Sequence, residues 1–452
     1  MPSTAIVWFR RDLRVHDHPP LAAALAEHDL VVPVFVLDRR LLEGRFRSAA
    51  RTAFLLGSLA DLDASLRDRD GALAVRDGRP EEELRKLARD TRASAVYWAA
   101  DVSSFARARD RGVRAGLEAD GVAVNESEGN FAIDLAALKP YRVFSPYHRA
   151  WLGVDRRPVL RAPARVPMPR LRRGRLPKAP AALREPGERA ARGALTAWLR
   201  TGLARYARTH DDLAEPSSGL SPYLHLGCIS AREVETKVAA RRGEGAAAFR
   251  RQLAWRDFHA QLLLHNPQAA RLELQERYRS LEWDSDAELF DAWREGRTGY
   301  PLVDAGMRQL RASGFMHNRA RLVVGSFLTK DLHLDWRAGE RHFMEHLLDG
   351  DEANNNGNWQ WIASVGADPA PYFRRMLNPT AQQKRYDPHG TYVRRWVPEL
   401  GRVPDEHLAE PWKMTGDEQR ASGCVIGRDY PAPIVDHREE RQRAIERYRA
   451  AS

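Results

Sequence analysis

Residues Asp349-Gly350-Asp351-Glu352-Ala353-Asn354-Asn355-Asn356-Gly357-Asn358-Trp359-Gln360-Trp361 put spaced acids, a run of three amides, two glycines and two tryptophans into one short stretch. Amides and carboxylates compete with the backbone for hydrogen bonds, so such runs usually mark turns or helix caps. Tryptophan instead wants burial with its indole N–H satisfied. Together they describe polar groups held against an apolar wall, the lining of a pocket for a large, flat, hydrogen-bonding ligand; the alternative is a solvated loop docked by its tryptophans. A second constellation, Ser217-Ser218-Gly219-Leu220-Ser221-Pro222-Tyr223-Leu224, places hydroxyls and a glycine just ahead of a helical pattern. Such a turn can offer hydroxyls and backbone N–H groups to phosphate oxygens, and it can equally be an ordinary cap. Trp255-Arg256-Asp257-Phe258-His259 falls mid-helix, and Gly314–Arg321 opens another helix on which Asn318 and Arg321 share a face. A guanidinium on an otherwise apolar helix needs an anion, and Asp349 or Asp351 would serve.

These residues need a frame. A chain of 452 residues is too long for one core. Its first third alternates short β-rich runs (Ala5–Phe9, Leu30–Leu37, Leu73–Arg76, Ala95–Trp98, Val122–Asn125) with helical patterns (Pro20–Glu27, Ala49–Arg67, Pro80–Arg92). That repetition predicts a Rossmann-like parallel sheet covered on both faces. Neither the dinucleotide glycine fingerprint nor the Walker pattern is present. From Arg156 to Arg192 prolines interrupt a string of arginines, which predicts an extended, solvated basic connector. Beyond Ala194 the pattern is helical, as over Ala231–Arg241, Ala246–His265, Pro301–Ser313 and Asn318–Leu328, and eight of the twelve tryptophans lie at or after Trp255. The expected organisation is an α/β domain over 3–131, a connector over 132–194 and an all-α domain over 195–452. Only Cys228 and Cys424 are present, which excludes a disulfide framework or a cysteine metal cage and points to a reducing compartment. With no signal pattern and no apolar run near the ~20 residues of a membrane span, a cytoplasmic location is expected. The formal charge of +11, carried mainly by arginine, suits contact with phosphates and makes nucleic acid the natural partner, although base composition of the gene also enriches arginine.

The same motifs, with Gly299-Tyr300-Pro301-Leu302-Val303-Asp304-Ala305, His317-Asn318-Arg319, the opening Val7-Trp8-Phe9-Arg10-Arg11-Asp12-Leu13-Arg14 and the closing Pro433-Ile434-Val435-Asp436-His437, closely resemble the DNA photolyase/cryptochrome family in collinear order over essentially the whole chain. Among its members the pattern resembles the bacterial class I cyclobutane-dimer enzymes. The resemblance implies an α/β antenna domain, a helical domain holding FAD, and light-driven reversal of pyrimidine dimers in ultraviolet-damaged DNA. It implies that Tyr206, Ser217, Ser218, Leu220 and Ser221 hold the pyrophosphate and ribityl region. Arg256, Asn318, Arg321, Asp349, Asp351 and Asn355 would line the flavin, with Arg321 paired to Asp349 and Asn355 facing flavin N5. Gln252, with Trp255 and Trp361 as aromatic walls, would meet the lesion. Trp359, Trp336 and Trp283 fall on the electron-transfer positions, and Arg319, Lys384, Arg385, Arg394 and Arg395 on the DNA-facing surface.

Three positions depart from the family's pattern: Gln252 stands for a glutamate, Leu322 for a methionine and His210 for an arginine. Asn318 and Leu322 occupy the positions where (6-4) photolyases carry a histidine pair, so that activity is disfavoured; a photolyase-like cryptochrome, a blue-light receptor with little repair, is the alternative. No glutamate stands near Ser103, where folate-binding members have one. Asp101, with Asp38 and Arg51, instead resembles members that bind 8-hydroxy-5-deazaflavin, the alternatives being methenyltetrahydrofolate or no antenna. A monomer without an obligate protein partner is expected.

Overall fold

The computed structural model describes residues 2–367 and 370–451. Five strands, β1 (Thr4–Phe9), β2 (Leu30–Leu37), β3 (Ala74–Asp77), β4 (Ala95–Ala99) and β5 (Ala123–Ser127), form one parallel sheet in the order β3-β2-β1-β4-β5. The central strands are buried along their length, β1 entirely, which is why they read as unbroken apolar runs. Helices Pro19–Glu27, Ala49–Arg67, Pro80–Thr91 and Ser104–Ala119 make the crossovers. The strand order reverses between β1 and β4, so a crevice opens beyond their carboxyl ends.

The chain divides into two compact units. One contains residues 1–207, 218–267 and 348–353; the other contains 208–217, 268–347 and 354–452. The first unit holds the sheet, the Glu188–Thr201 helix and the long Glu244–His265 helix. The connector is extended and mostly exposed or half-buried, as its composition predicts, but it is docked along its length rather than loose. Phe144–Leu152 and the segment from Glu188 are helical. Between them, Val166 is fully buried, Val166 N–H donates to Arg69 O (2.6 Å), Val31 N–H to Pro167 O (2.8 Å) and Val75 N–H to Arg173 O (2.6 Å). The connector thereby covers the otherwise open β3 edge, which satisfies ladder groups and blocks edge-to-edge pairing. Gly174 makes that approach possible, with φ +78° and a backbone so close to Val75 O that a Cβ would lie 2.1 Å from it.

The second unit is helical around a core that includes Trp293, Trp336, Phe327, Phe343 and Trp359. Its Asn318–Ser326 helix ends in a π-helical turn, Phe327–Asp331, where the sequence pattern predicts a regular helix to Leu328. The turn aims the buried Lys330 amine at Ala363 O (2.8 Å), Ser364 Oγ (3.2 Å) and Tyr448 Oη (2.7 Å). Lys330 therefore ties the C-terminal His437–Ala450 helix to the end of the helix that carries the asparagine run. Among the described residues no helix is long and apolar enough to cross a membrane.

Candidate functional site

The switch-point crevice of the first unit is lined by Arg10 and Arg11 after β1, Asp101 after β4, and Asn130, Phe131 and Arg256. It is intensely charged. Arg11 donates to the Asp351 carboxylate, its Nε to His225 O (3.1 Å), and its Nη1 lies 3.6 Å from Asp101. Burial opposes the Arg11 charge, but Asp351 and Asp101 outweigh it and raise the guanidinium pKa above its usual value. Burial also pushes Asp101 upward; Arg11, Arg10 and the Ser103 N–H reverse that and hold it below the usual carboxylate range. His225, buried beside this arginine, is kept neutral by desolvation and by Arg11. Asp351 is thus a counterion of Arg11. Arg51 stands in the first turn of the Ala49–Arg67 helix, lowered to about 10 by burial and supported by Asp349. Asp38, grouped with Arg51 and Asp101 by resemblance, is instead the cap of a short helix and chelates Arg40 (2.6 Å), which also binds Glu81 (2.9 Å).

Arg256 lies half-buried on the Glu244–His265 helix and donates to Asn130 O (2.7 Å) and Leu224 O (3.3 Å). One turn before it, Gln252 is exposed. Trp255 stacks on Phe144 with centroids 3.7 Å apart and planes 7° from parallel, so the connector helix backs one face of the ring. Tyr206 packs edge-on against Trp198 (5.6 Å) and Phe249 (5.2 Å). In the serine turn, Ser218 Oγ accepts the Leu220 N–H (3.4 Å), Leu220 is buried and Gly219 takes the left-handed φ of +62° with Arg184 laid across it. Among the described residues the Ser221 hydroxyl bonds to no protein group, and neither does that of Ser217 in the other unit.

In the second unit the asparagine run is not a loop. Glu352–Ile362 is one helix, because tertiary partners absorb its amides. Asn358 Nδ2 donates to Asn354 O (2.7 Å), and buried Gln360 Nε2 to Ala269 O (2.7 Å) and Leu272 O (3.2 Å), while its Oε1 accepts Leu274 N–H (2.8 Å). Asn355 Nδ2 donates to Glu340 O (2.9 Å), which fixes the amide and leaves Oδ1 as its uncommitted acceptor. Trp359 is buried against Gly339 of the Trp336–His346 helix, where a Cβ would come within 2.2 Å of its ring. Trp336, three residues earlier on that helix, is fully buried and donates Nε1 to Glu273 (3.2 Å); Trp283 is half-buried at the margin of the same core. Trp361 is half-buried with the Arg375 guanidinium 3.3 Å from its centroid. Each expected aromatic wall is thus backed on one face, Trp255 by a ring and Trp361 by a cation.

Asn318 is exposed at the first position of its helix, and Arg321 donates Nε to Met316 O (2.9 Å). Leu322 is half-buried against the core, and His210 lies 3.8 Å from Asp211. The cations expected on one surface divide by partner. Arg319 binds Asp211 (2.5 Å) and lies over Tyr386, Lys384 binds Glu410 (2.7 Å) and Arg394 binds Asp405 (2.7 Å). Arg385 and Arg395 are exposed, each over a neighbouring ring, Tyr386 and Trp396, and neither meets a carboxylate among the described residues.

This donor set suits FAD. Uncommitted serine hydroxyls can meet anionic oxygens, and a fixed amide with a free acceptor can meet a flavin ring N–H. Sequence reasoning did not assign Arg11, His225, Glu340 or Phe144, whose partners are 340, 214, 15 and 111 residues away; only Arg11 left a trace, inside the opening motif.

Residues 5–169 match the family model described as DNA photolyase, and residues 249–450 the FAD binding domain of DNA photolyase. A Streptomyces griseus protein named deoxyribodipyrimidine photo-lyase is 44% identical, covering 98% of each chain. A Halobacterium salinarum protein of the same name is 38% identical over 99% of each. The fold is similar to a bacterial class III photolyase from Agrobacterium tumefaciens (TM-score 0.94, 35% identity, 100% of this chain and 98% of that one). It is also similar to a Synechocystis cryptochrome (TM-score 0.92, 31% identity, 99% of each chain).

Proposed function

The chain belongs to the DNA photolyase family, and from that membership we propose that it repairs cyclobutane pyrimidine dimers in ultraviolet-damaged DNA, using light and FAD. The observation that carries this reading is Asn355, an amide immobilised by Glu340 O with its Oδ1 free to accept a hydrogen bond. Fully reduced FAD, when bound and excited, supplies an electron to the dimer, whose cyclobutane carbon–carbon bonds break before the electron returns, so the reaction is redox neutral. The protein's own tasks are to hold, shield and orient. Asn355 holds the proton at flavin N5 by accepting its hydrogen bond. Tyr206, Ser217, Ser218, Leu220, Ser221, Asn318 and Arg321 would hold the cofactor, with Asp349, Asp351 and Arg256 supplying charge. Trp359, Trp336 and Trp283 would be the residues that relay electrons to bound FAD, indole being readily oxidised.

Photolyases are among the enzymes that take their target base out of the stack. Trp255 and Trp361 offer the flipped dimer aromatic faces, and Gln252 offers an amide donor to a pyrimidine carbonyl, without the charge or proton a glutamate would bring. Arg319, Lys384, Arg385, Arg394 and Arg395 bind the flanking phosphates. The protein acts as a cytoplasmic monomer. A second chromophore, 8-hydroxy-5-deazaflavin, is proposed near Asp101 and Arg51; Asp38 is already paired with Arg40. Protein from a deazaflavin-making host is then expected to absorb in that chromophore's band, and a folate band would overturn the assignment.

The decisive experiment illuminates the fully reduced protein with a dimer-containing oligonucleotide and counts restored thymines. Light-dependent loss of dimers is expected. Its absence with FAD fully reduced would favour a blue-light receptor, the reading to which Gln252 lends support.

A further inference from the structure

On the Trp336–His346 helix, His342, Glu345 and His346 stand at positions i, i+3 and i+4, and one ligand atom from each lies within 4.8 Å of the others. Histidines four apart share a helical face and can close on one ion. The rings are already held. His346 Nδ1 lies 2.9 Å from His342 O, a contact it makes as donor, which leaves Nε2 as the nitrogen with a lone pair. His342 is wedged among His346 (4.3 Å between centroids), Trp293 (5.5 Å) and Phe290 (6.3 Å). All three groups are half-buried, so an ion can reach them from solvent. Arg294, whose charge is felt at His342, is itself paired with Asp291 (2.8 Å).

We propose that His342, Glu345 and His346 bind a divalent cation of the zinc, nickel or copper class. Two imidazole nitrogens and one carboxylate oxygen suit such borderline cations, whereas magnesium and calcium take all-oxygen shells. The remaining positions fall to water, so the site is open. Trp293 touches both His342 (5.5 Å) and Trp359 (6.2 Å), which gives occupation an optical signature.

The test uses FAD-loaded protein free of any histidine tag. Calorimetric titration with zinc chloride is expected to give one site per chain. His342→Gln and His346→Gln each weaken it about tenfold or more, with FAD content and circular dichroism unchanged. Copper(II) is expected to quench part of the tryptophan fluorescence in the parent and not in His346→Gln. Should His342→Gln fail to fold, His346→Gln and Glu345→Gln carry the comparison. No saturable zinc site in the parent, or an affinity untouched by His346→Gln, overturns the assignment.

Discussion

Glu352 opens the asparagine-bearing helix, and burial beside Asp101 and Asp351 pushes its carboxyl up to about 7 from 4.5, against the pull of Arg11 and Arg45. The folded state therefore keeps a proton that the unfolded chain releases between those values, and stability falls as pH rises through that window. Glu352→Gln imitates the protonated group. The variant is expected to match the parent near pH 4 and to exceed it above pH 7 by about 1–2 kcal/mol, a figure reduced for the solvent that reaches this half-buried side chain. Denaturant midpoints at both pH values check this, and parallel pH profiles would refute it. At Asn355 the prediction concerns activity. Asn355→Leu keeps the volume and removes the acceptor, so light-driven repair should drop by about tenfold or more at unchanged FAD content. Full repair by that variant would show that Oδ1 contributes nothing.

At the scale of elements, Gln360 pins the 269–274 segment to the asparagine-bearing helix through three hydrogen bonds, with a fourth to Asn356 Oδ1 inside the helix. Gln360→Met fills the space and leaves the buried Ala269 carbonyl and the Leu274 N–H without that partner, which is expected to cost about 2–4 kcal/mol in urea unfolding; a loss below about 1 kcal/mol would mean that water or repacking takes over. Elements of this kind divide into those readable from sequence and those not. The strands were legible to within about a residue because parallel, doubly covered strands are simply apolar runs; Leu30–Leu37 agrees at both ends. The asparagine run was not legible as a helix, since what makes it helical is the set of distant carbonyls at Glu340, Ala269 and Leu272. The connector's path along β3 was hidden for the same reason: backbone groups of Arg69 and Arg173 decide it, and no side-chain pattern records them.

For the molecule as a whole, net charge overstates what is available to DNA, because Arg319, Lys384 and Arg394 are already paired with acids. Arg385→Ala and Arg395→Ala are each expected to lower the slope of log K against log salt by about 0.9, and Lys384→Ala by less, since Glu410 already neutralises that ammonium. Equal slopes for all three variants would contradict that division. The pairing of Arg11 with Asp351 spans 340 residues of chain. During synthesis the sheet can form as soon as β5 is made, yet of the two carboxylates that face Arg11 only Asp101 is then present, and Asp351 has still to be translated. At roughly 5–20 residues per second, Asp351 follows β5 off the ribosome only after some tens of seconds. The charge balance of the N-terminal crevice thus depends on a residue from the far end of the message, and a prematurely terminated chain would keep Asp101 as a partner of Arg11 while lacking Asp351.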